Sequence, residues 1–296
     1  MSIKNNQTNL KQVRSEGWDQ IAEVFSNFIA TPKVGFTTLF AIDAINLSIP
    51  KENFKKAMKI LDIACGTGPL SLYASDIFKN SNFIAIDFSQ KMIEILDKII
   101  KHNDIKNIET HIMDGQNLSI ENDSIDYTFS IFGLIFFPDL LQGMKEMYRV
   151  LKPNNQSYTA IASWCLDSFQ YVIFQETMDK LLTEQNNGKP TTYKQISLSL
   201  SNQFEFKRLL ESVGFVDISI TRVEHPLEVN EISDLIPLFK NNPFYLDCLD
   251  ELHTDELKIK FDSLFIEIAK SKNPKRSLEN NKLQLRTFSF IGVAKK

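Results

Sequence analysis

The chain has 296 residues, 43% of them hydrophobic, which allows one large domain or two smaller ones with a substantial core. A net charge of −4 and a pI near 5.7 argue against a nucleic-acid partner, because such proteins usually carry a basic face that neutralises phosphates. Three scattered cysteines and four widely spaced histidines predict neither a disulfide framework nor a metal site.

No membrane segment is expected. Residues 1–11 are polar and lack the apolar centre of a signal peptide. The most apolar run, at 125–138, contains Asp126 and is shorter than the roughly 20 residues that a membrane-spanning helix needs. We therefore expect a cytoplasmic protein.

The N-terminal part predicts a tail and a helical cap over residues 1–57. Residues 1–14 resemble a disordered leader. From Ser15 to Ala30, apolar residues such as Trp18 and Phe25 recur at helical spacing. A second helix is predicted from Val34 to Leu47.

Alternating strands and helices follow. Short apolar runs predict strands at 58–64, 82–87, 108–113, 125–131 and 156–162. Helical patterns between them predict helices at 68–78, 89–102 and 139–151. Repeated β–α units of this kind indicate an α/β fold, a doubly wound Rossmann-like sheet with helices on both faces.

The regular alternation of strands and helices ends after residue 163. Residues 163–202 look helical or irregular, and a helix at 205–212 leads to a strand at 216–223. A mostly helical stretch covers 225–279, and a last strand covers 285–294. The nucleotide-binding domain is therefore expected to span 58–296, with insertions at 164–205 and 224–283 that cap a substrate.

The strongest chemical signal is the segment LDIACGTG at 61–68, where a strand ends in a glycine loop and a helix begins. Gly66 and Gly68 let the backbone turn tightly and approach a ligand. Asp87 ends the next strand about 20 residues later, which is the spacing used to bind ribose hydroxyls.

These residues resemble the class I S-adenosylmethionine-dependent methyltransferases, in the small-molecule style of the quinone-biosynthesis enzymes. The resemblance implies S-adenosylmethionine as cofactor, with Asp87 on the ribose, Phe88 near the adenine and Asp114 at the adenine amino group. The full cofactor set that it implies is Asp62, Ala64, Gly66, Gly68, Asp87, Phe88, Asp114, Gly115, Ser130 and Trp18.

Two further segments extend the resemblance. EMYRVLKPNN at 146–155 is similar to the family's turn after the fourth helix, with Asn154 and Asn155 in place of glycines. Trp18-Asp19 to Phe25 resembles the N-terminal helix that folds over the cofactor. Trp18 fits a plain core residue equally well, and Arg149 fits a support for its helix end better than a substrate contact.

The substrate is expected to be a small, partly apolar molecule at the carboxyl end of the sheet, methylated by in-line displacement. Phe132, Phe136, Phe137 and Trp164 are candidate substrate contacts, although core packing explains them equally well. Many relatives place histidines where this chain has Ile135 and Phe136. We therefore assign no catalytic base.

Two alternatives remain open from the residues alone. A dinucleotide-dependent oxidoreductase also uses a glycine loop, with a third small residue at the position of Ser71. The fold could also serve an inactive cofactor-binding or scaffold protein, because the expected base is absent.

Overall fold

The computed structural model describes residues 15–28, 35–153, 156–193, 198–240 and 243–296. The expected leader at 1–14 and the turn at Asn154 and Asn155 lie outside these residues. The helices are α1 (Ser15–Phe28), α2 (Phe36–Ser48), α3 (Pro69–Ile77), α4 (Gln90–His102), α5 (Leu140–Val150), α6 (Phe169–Gln185), α7 (Gln203–Val213), α8 (Leu235–Phe239), α9 (Pro243–Asp250) and α10 (Asp255–Ser271). The strands are β1 (Lys59–Ile63), β2 (Asn82–Asp87), β3 (Ile108–Ile112), β4 (Tyr127–Ile131), β5 (Tyr158–Trp164), β6 (Val216–Val229), β7 (Lys275–Arg276) and β8 (Leu283–Lys295).

The strands form one sheet in the order β3-β2-β1-β4-β5-β8-β6, with β7 paired to β8. Strands β1 to β5 pair in parallel, and β8 runs antiparallel to β5. The sequence order reverses between β1 and β4, so the carboxyl ends of these two strands flank the crevice where such folds bind ligands. The predicted α/β fold with a mostly parallel Rossmann-like sheet is confirmed.

Local sequence explains where the helices of this sheet begin. Gly68 has φ of 88° and leads into Pro69, which suits the first turn of α3. The Ser89 hydroxyl caps α4 by accepting from the Met92 amide, and Asp139 caps α5 by accepting from the Gln142 amide.

The described residues divide into two compact units. The sheet unit contains residues 13–164, 199–223 and 289–296. In it, α2 packs on β4 and β5, while α3 and α4 pack on β2 and β3. One buried cluster joins Leu72 of α3, Ala85 of β2 and Leu96 of α4. Such apolar burial is the main source of stability in a layered α/β fold.

The helical unit contains residues 165–198 and 224–288. Its core is aromatic, because the Phe174 ring lies within 6.4 Å of four other rings, measured between centroids. Those rings belong to Phe239, Tyr245, Phe261 and Phe265. Helices α6 and α10 pack against each other in this unit.

Some predicted boundaries were wrong. The strand predicted at 216–223 continues to Val229 as β6. The rest of the stretch 225–279 is mostly helical, as expected, and its first helical turn is a 3₁₀ helix at Ile232–Asp234. Within the predicted helical or irregular stretch 163–202, α6 covers Phe169–Gln185. Pro226 did not end the strand. Among the described residues, no helix is both long and apolar enough to cross a bilayer.

A partly buried ion pair holds the loop after β3 to α5. The Arg149 guanidinium donates to both carboxylate oxygens of Glu146, at 2.8 and 2.7 Å. It also donates to the carbonyls of Leu118 and Ile120, and Glu146 accepts from the Leu118 amide. Arg149 lowers the pKa of the Glu146 carboxyl, chiefly through this hydrogen bond. The expectation that Arg149 supports its helix end fits these contacts.

We predict that Arg149→Met lowers the free energy of unfolding by about 1–3 kcal/mol, because it leaves a mostly buried carboxylate unpaired. The pKa of Glu146 is lowered in the folded state, so its contribution is present above the ordinary glutamate pKa and is lost as pH falls through the folded value. The difference in free energy of unfolding between wild type and Arg149→Met, measured with urea, should therefore become smaller in acid. Lys79→Met, which removes an exposed pair with Asp76, is the control. Equal stability of wild type and Arg149→Met at pH 7 would contradict the prediction.

Candidate functional site

The loop after β1 and the loop after β2 meet at one carboxylate. Asp87, at the end of β2, is only 6% exposed. One of its oxygens accepts from the Gly66 amide and the other from the Ser89 amide, each at 2.9 Å. Because a carboxylate has about four lone-pair positions, both oxygens keep capacity for a further donor. Burial raises the pKa of Asp87 to about 6.

A second buried carboxylate lies one strand away. Asp62 of β1 accepts from the Ser71 hydroxyl of α3 at 2.7 Å. Burial raises the pKa of Asp62 to about 7. The bond to Ser71 orients the carboxylate beneath the glycine loop. Ser71, weighed above as the third small residue of a dinucleotide loop, therefore serves Asp62 here.

The backbone around these carboxylates is strained. Ala64, at the end of β1, has φ of 54°, and Phe132, at the end of β4, has φ of 62°. Positive φ is unusual for both residue types, and such strain concentrates at functional sites. The two strand ends touch, since a Cβ on Gly133 would lie 2.3 Å from the Ala64 Cβ. A glycine is therefore required at 133, on the loop that faces the glycine loop.

Two exposed apolar side chains neighbour Asp87, one next to it in sequence and one on the adjacent strand β3. Phe88 is 39% exposed and Ile112, which pairs with Asp87 in register, is 57% exposed. Asp114 is also exposed, and Gln116 donates to it from its backbone amide at 2.8 Å and from its side chain. An apolar face next to a fixed carboxylate suits a flat heterocycle with an amino group.

Two predicted cofactor residues, Gly115 and Ser130, have structural roles. Gly115 is buried, and a Cβ there would lie 2.5 Å from the ring of Phe137. The Ser130 hydroxyl accepts from the Leu134 amide at 3.0 Å and so closes the turn after β4. Both residues shape the wall of the site, and their contact with a cofactor stays a prediction.

Helix α1 packs against α4 beside the glycine loop. Trp18 and Phe25 contact the cluster of Ile21, Ala22 and Met92. The Trp18 ring also meets Phe136 edge to face, with centroids 4.9 Å apart. These contacts bring the N-terminal helix to the strand-four loop.

Phe25 comes closest to the loop itself. A Cβ on Gly66 would lie 3.2 Å from the Phe25 ring, so the ring covers the open face of that glycine.

Sequence reasoning missed the role of Asp19. Its carboxylate accepts from the Ser89 hydroxyl at 2.6 Å and from the Lys91 amide at 3.1 Å. Asp19 thereby fastens α1 to the first turn of α4, two residues from Asp87. A negative charge at a helix N-terminus is also electrostatically favourable. The only sequence signal for this role of Asp19 was its position beside Trp18, in the segment that resembles the family's N-terminal helix.

The predicted substrate residues fall into two groups. Phe132 and Trp164 are buried and stack in parallel, with centroids 3.6 Å apart. Phe36 and Phe40 of α2 pack on the Trp164 ring. Phe136 and Phe137 are half-buried and lie in the turn after β4, away from this stack.

Two histidines lie on described strands. His111, on β3, pairs with Glu109 at 2.9 Å, and His225 lies on β6. Ile135, where many relatives of the resembled family have histidine, is buried, and Phe136 contacts Trp18. The assignment of a base therefore stays open.

The residues present fit an S-adenosylmethionine site. The Thr67 hydroxyl in the glycine loop is fully buried and has no hydrogen-bond partner within the described ranges. A buried polar atom without a partner is costly, so a ligand that supplies one is favoured. Together with the free lone pairs of Asp87 and the apolar face of Phe88, this loop offers both the polar and the apolar contacts of an adenosyl group.

Comparisons with known proteins agree with this geometry. A family model described as a methyltransferase domain matches residues 60–154. The demethylmenaquinone methyltransferase of Lactobacillus johnsonii is 30% identical over 191 residues, covering 58% of this chain and 76% of that protein. The enzyme of the same name from Listeria welshimeri is 35% identical over 103 residues, which cover 34% of this chain and 44% of that protein.

A solved structure shares the fold. It is phosphoethanolamine N-methyltransferase 2 of Haemonchus contortus in complex with phosphomonomethylethanolamine and S-adenosylhomocysteine. The TM-score is 0.54 at 17% identity, covering 100% of this chain and 60% of that one. The dinucleotide oxidoreductase and the inactive scaffold are therefore set aside. This chain belongs to the class I S-adenosylmethionine-dependent methyltransferases of the quinone-biosynthesis type.

Proposed function

We propose that this enzyme transfers a methyl group to a small, partly apolar molecule. The main support for cofactor binding is the Asp87 carboxylate. It joins the loops after β1 and β2 and keeps free lone pairs. The proposed class of methyl acceptor is supported by the relatives, whose named substrate, demethylmenaquinone, is a quinone. The bound cofactor supplies a methyl group on a sulfonium, and the S–CH₃ electron pair stays on sulfur as the new bond forms.

The chain contributes binding and positioning. Asp87 would accept the ribose hydroxyls, Thr67 would gain a partner, and Phe88 would cover the adenine. Phe25 and Trp18 on α1 would exclude water from the methionine end, which strengthens electrostatic interactions there. Alignment of two reactants can by itself lower a barrier by several kcal/mol.

The domain arrangement is part of the proposal. We assign residues 1–57 to a tail and cap, and 58–296 to the methyltransferase domain with substrate-capping insertions at 164–205 and 224–283. The helical unit, at 165–198 and 224–288, covers nearly the same residues as these insertions and supports the assignment.

The acceptor atom is proposed to ionise readily or to be a free amine. Ile135 and Phe136 offer no proton acceptor, and no catalytic base is assigned. A phenol, carboxylate or thiol loses its proton near neutral pH or with little help, so it does not depend on a strong general base.

The first prediction concerns cofactor binding. Asp87→Ala should weaken S-adenosylmethionine binding by about 2–4 kcal/mol, roughly 30- to 700-fold, because two charge-assisted hydrogen bonds are lost. Calorimetry on the folded variant measures it. Asp76→Ala, at an exposed site on α3, is the matched control. Unchanged affinity in Asp87→Ala would remove Asp87 from the site.

The affinity should also depend on pH. The carboxylate form of Asp87 accepts the hydroxyls, and its pKa is about 6, so binding should weaken as pH falls from 7 to 5. Any pH dependence that survives in Asp87→Ala belongs to other groups, Asp62 first among them. A wild-type affinity that is constant from pH 7 to 5 would contradict this.

The second prediction concerns α1. Hydrogen exchange in residues 15–28 should slow at least about threefold when S-adenosylmethionine binds, because α1 closes over the ligand. Asp19→Ala should exchange faster than wild type without ligand and bind the cofactor more weakly, since the bonds to Ser89 and Lys91 are lost. Glu23→Ala, exposed on the same helix, is the control. Equal exchange with and without ligand would make α1 an ordinary structural helix.

The third prediction concerns the acceptor. With methyl-labelled cofactor, small phenols, acids, thiols and amines should be screened beside RNA and protein extracts. We expect label in at least one small apolar compound and none in RNA. Label found only in macromolecules would contradict the proposed substrate class.

A further inference from the structure

A cavity of about 470 Å³ lies within the helical unit, between α6 and the segment that follows it. This volume falls within the range of small-molecule sites. Its walls include two tyrosines, two aliphatic side chains and two carboxylates: Tyr171, Tyr193, Leu166, Val172, Glu176 and Asp179. No residue of the glycine loop lines this cavity.

The two carboxylates differ in whether a cationic side chain is paired with them. Glu176 is paired with Lys272, with nitrogen and oxygen 2.5 Å apart. Asp179 accepts on one oxygen from the Tyr193 amide at 2.5 Å and from the Gln175 side chain at 3.0 Å. Both donors are neutral. Within the described part of the chain, no lysine or arginine forms an ion pair with Asp179, and its second oxygen accepts no hydrogen bond there.

The aromatic walls add to the preference for a cation. Burial raises the pKa of Tyr171 and of Tyr193 well above the usual value, so both side chains stay neutral at physiological pH. Neutral tyrosine rings attract cations through their negative faces. A carboxylate with a free oxygen, next to such rings, favours an ammonium group. The same charge disfavours an anion.

We infer that this cavity binds a small organic cation, an ammonium group attached to an apolar or aromatic part. The ammonium would donate to the free oxygen of Asp179. The apolar part would contact Leu166, Val172 and the tyrosine rings. The inference goes beyond the proposed methyl transfer and does not depend on it.

Three matched ligands test the inference on the full-length protein. They are 2-phenylethylammonium chloride, 2-phenylethanol and sodium phenylacetate, which share a ring and differ in charge. Calorimetry is run at pH 7 without S-adenosylmethionine, so failure of methyl transfer does not affect the outcome. We expect the cation to bind at least about tenfold more tightly than the alcohol, and the anion to bind most weakly.

Asp179→Asn is the decisive variant, because an amide oxygen can still accept from Tyr193 and Gln175 while the charge is gone. It should weaken cation binding about tenfold and leave 2-phenylethanol binding within twofold. Glu184→Gln makes the same charge change on α6 outside the cavity, and should leave both affinities within twofold.

Two results would overturn the inference. One is equal binding of the three ligands by the wild type, which needs no variant to fold. The other is an Asp179→Asn protein, folded by its unfolding midpoint, that keeps the wild-type preference for the cation.

Discussion

The site depends on one shared carboxylate. Asp87 accepts from the Gly66 amide and from the Ser89 amide, so a single side chain holds the β1 loop and the β2 loop together. Ser89 in turn caps α4 and donates to Asp19 of α1. Each of these contacts involves Asp87 or Ser89. Glycine loop, helix start and N-terminal helix are therefore positioned by one short chain of hydrogen bonds.

This arrangement has an electrostatic cost that a ligand relieves. Burial raises the pKa values of Asp87 and Asp62 to about 6 and about 7, so their ionised forms are disfavoured. Hydroxyl donors from a ribose stabilise the ionised form of Asp87 and lower its pKa. Folding thus places a poorly solvated charge at the site, and we propose that cofactor binding compensates for it. Residues with such shifts often mark functional sites.

Sequence patterns predicted the sheet and the cofactor loop because both are local signals. The apolar run before Gly66 and the spacing to Asp87 need no knowledge of distant contacts. Asp19 could not be found in this way, since its partners Ser89 and Lys91 lie 70 or more residues away. The extension of β6 to Val229 was missed for a related reason. Its burial alternates only partly, and Pro226 is a typical strand breaker.

The aromatic residues show why substrate contacts were harder to predict than cofactor contacts. Composition alone could not separate Phe132 and Trp164, which stack on each other, from Phe136, which meets Trp18. Rings that pack on one another leave less surface for a ligand, whereas a half-buried ring beside a closing helix can contact one. Specificity for the acceptor should therefore depend more on Phe136 and Trp18 than on the Phe132–Trp164 stack, which packs at the strained end of β4.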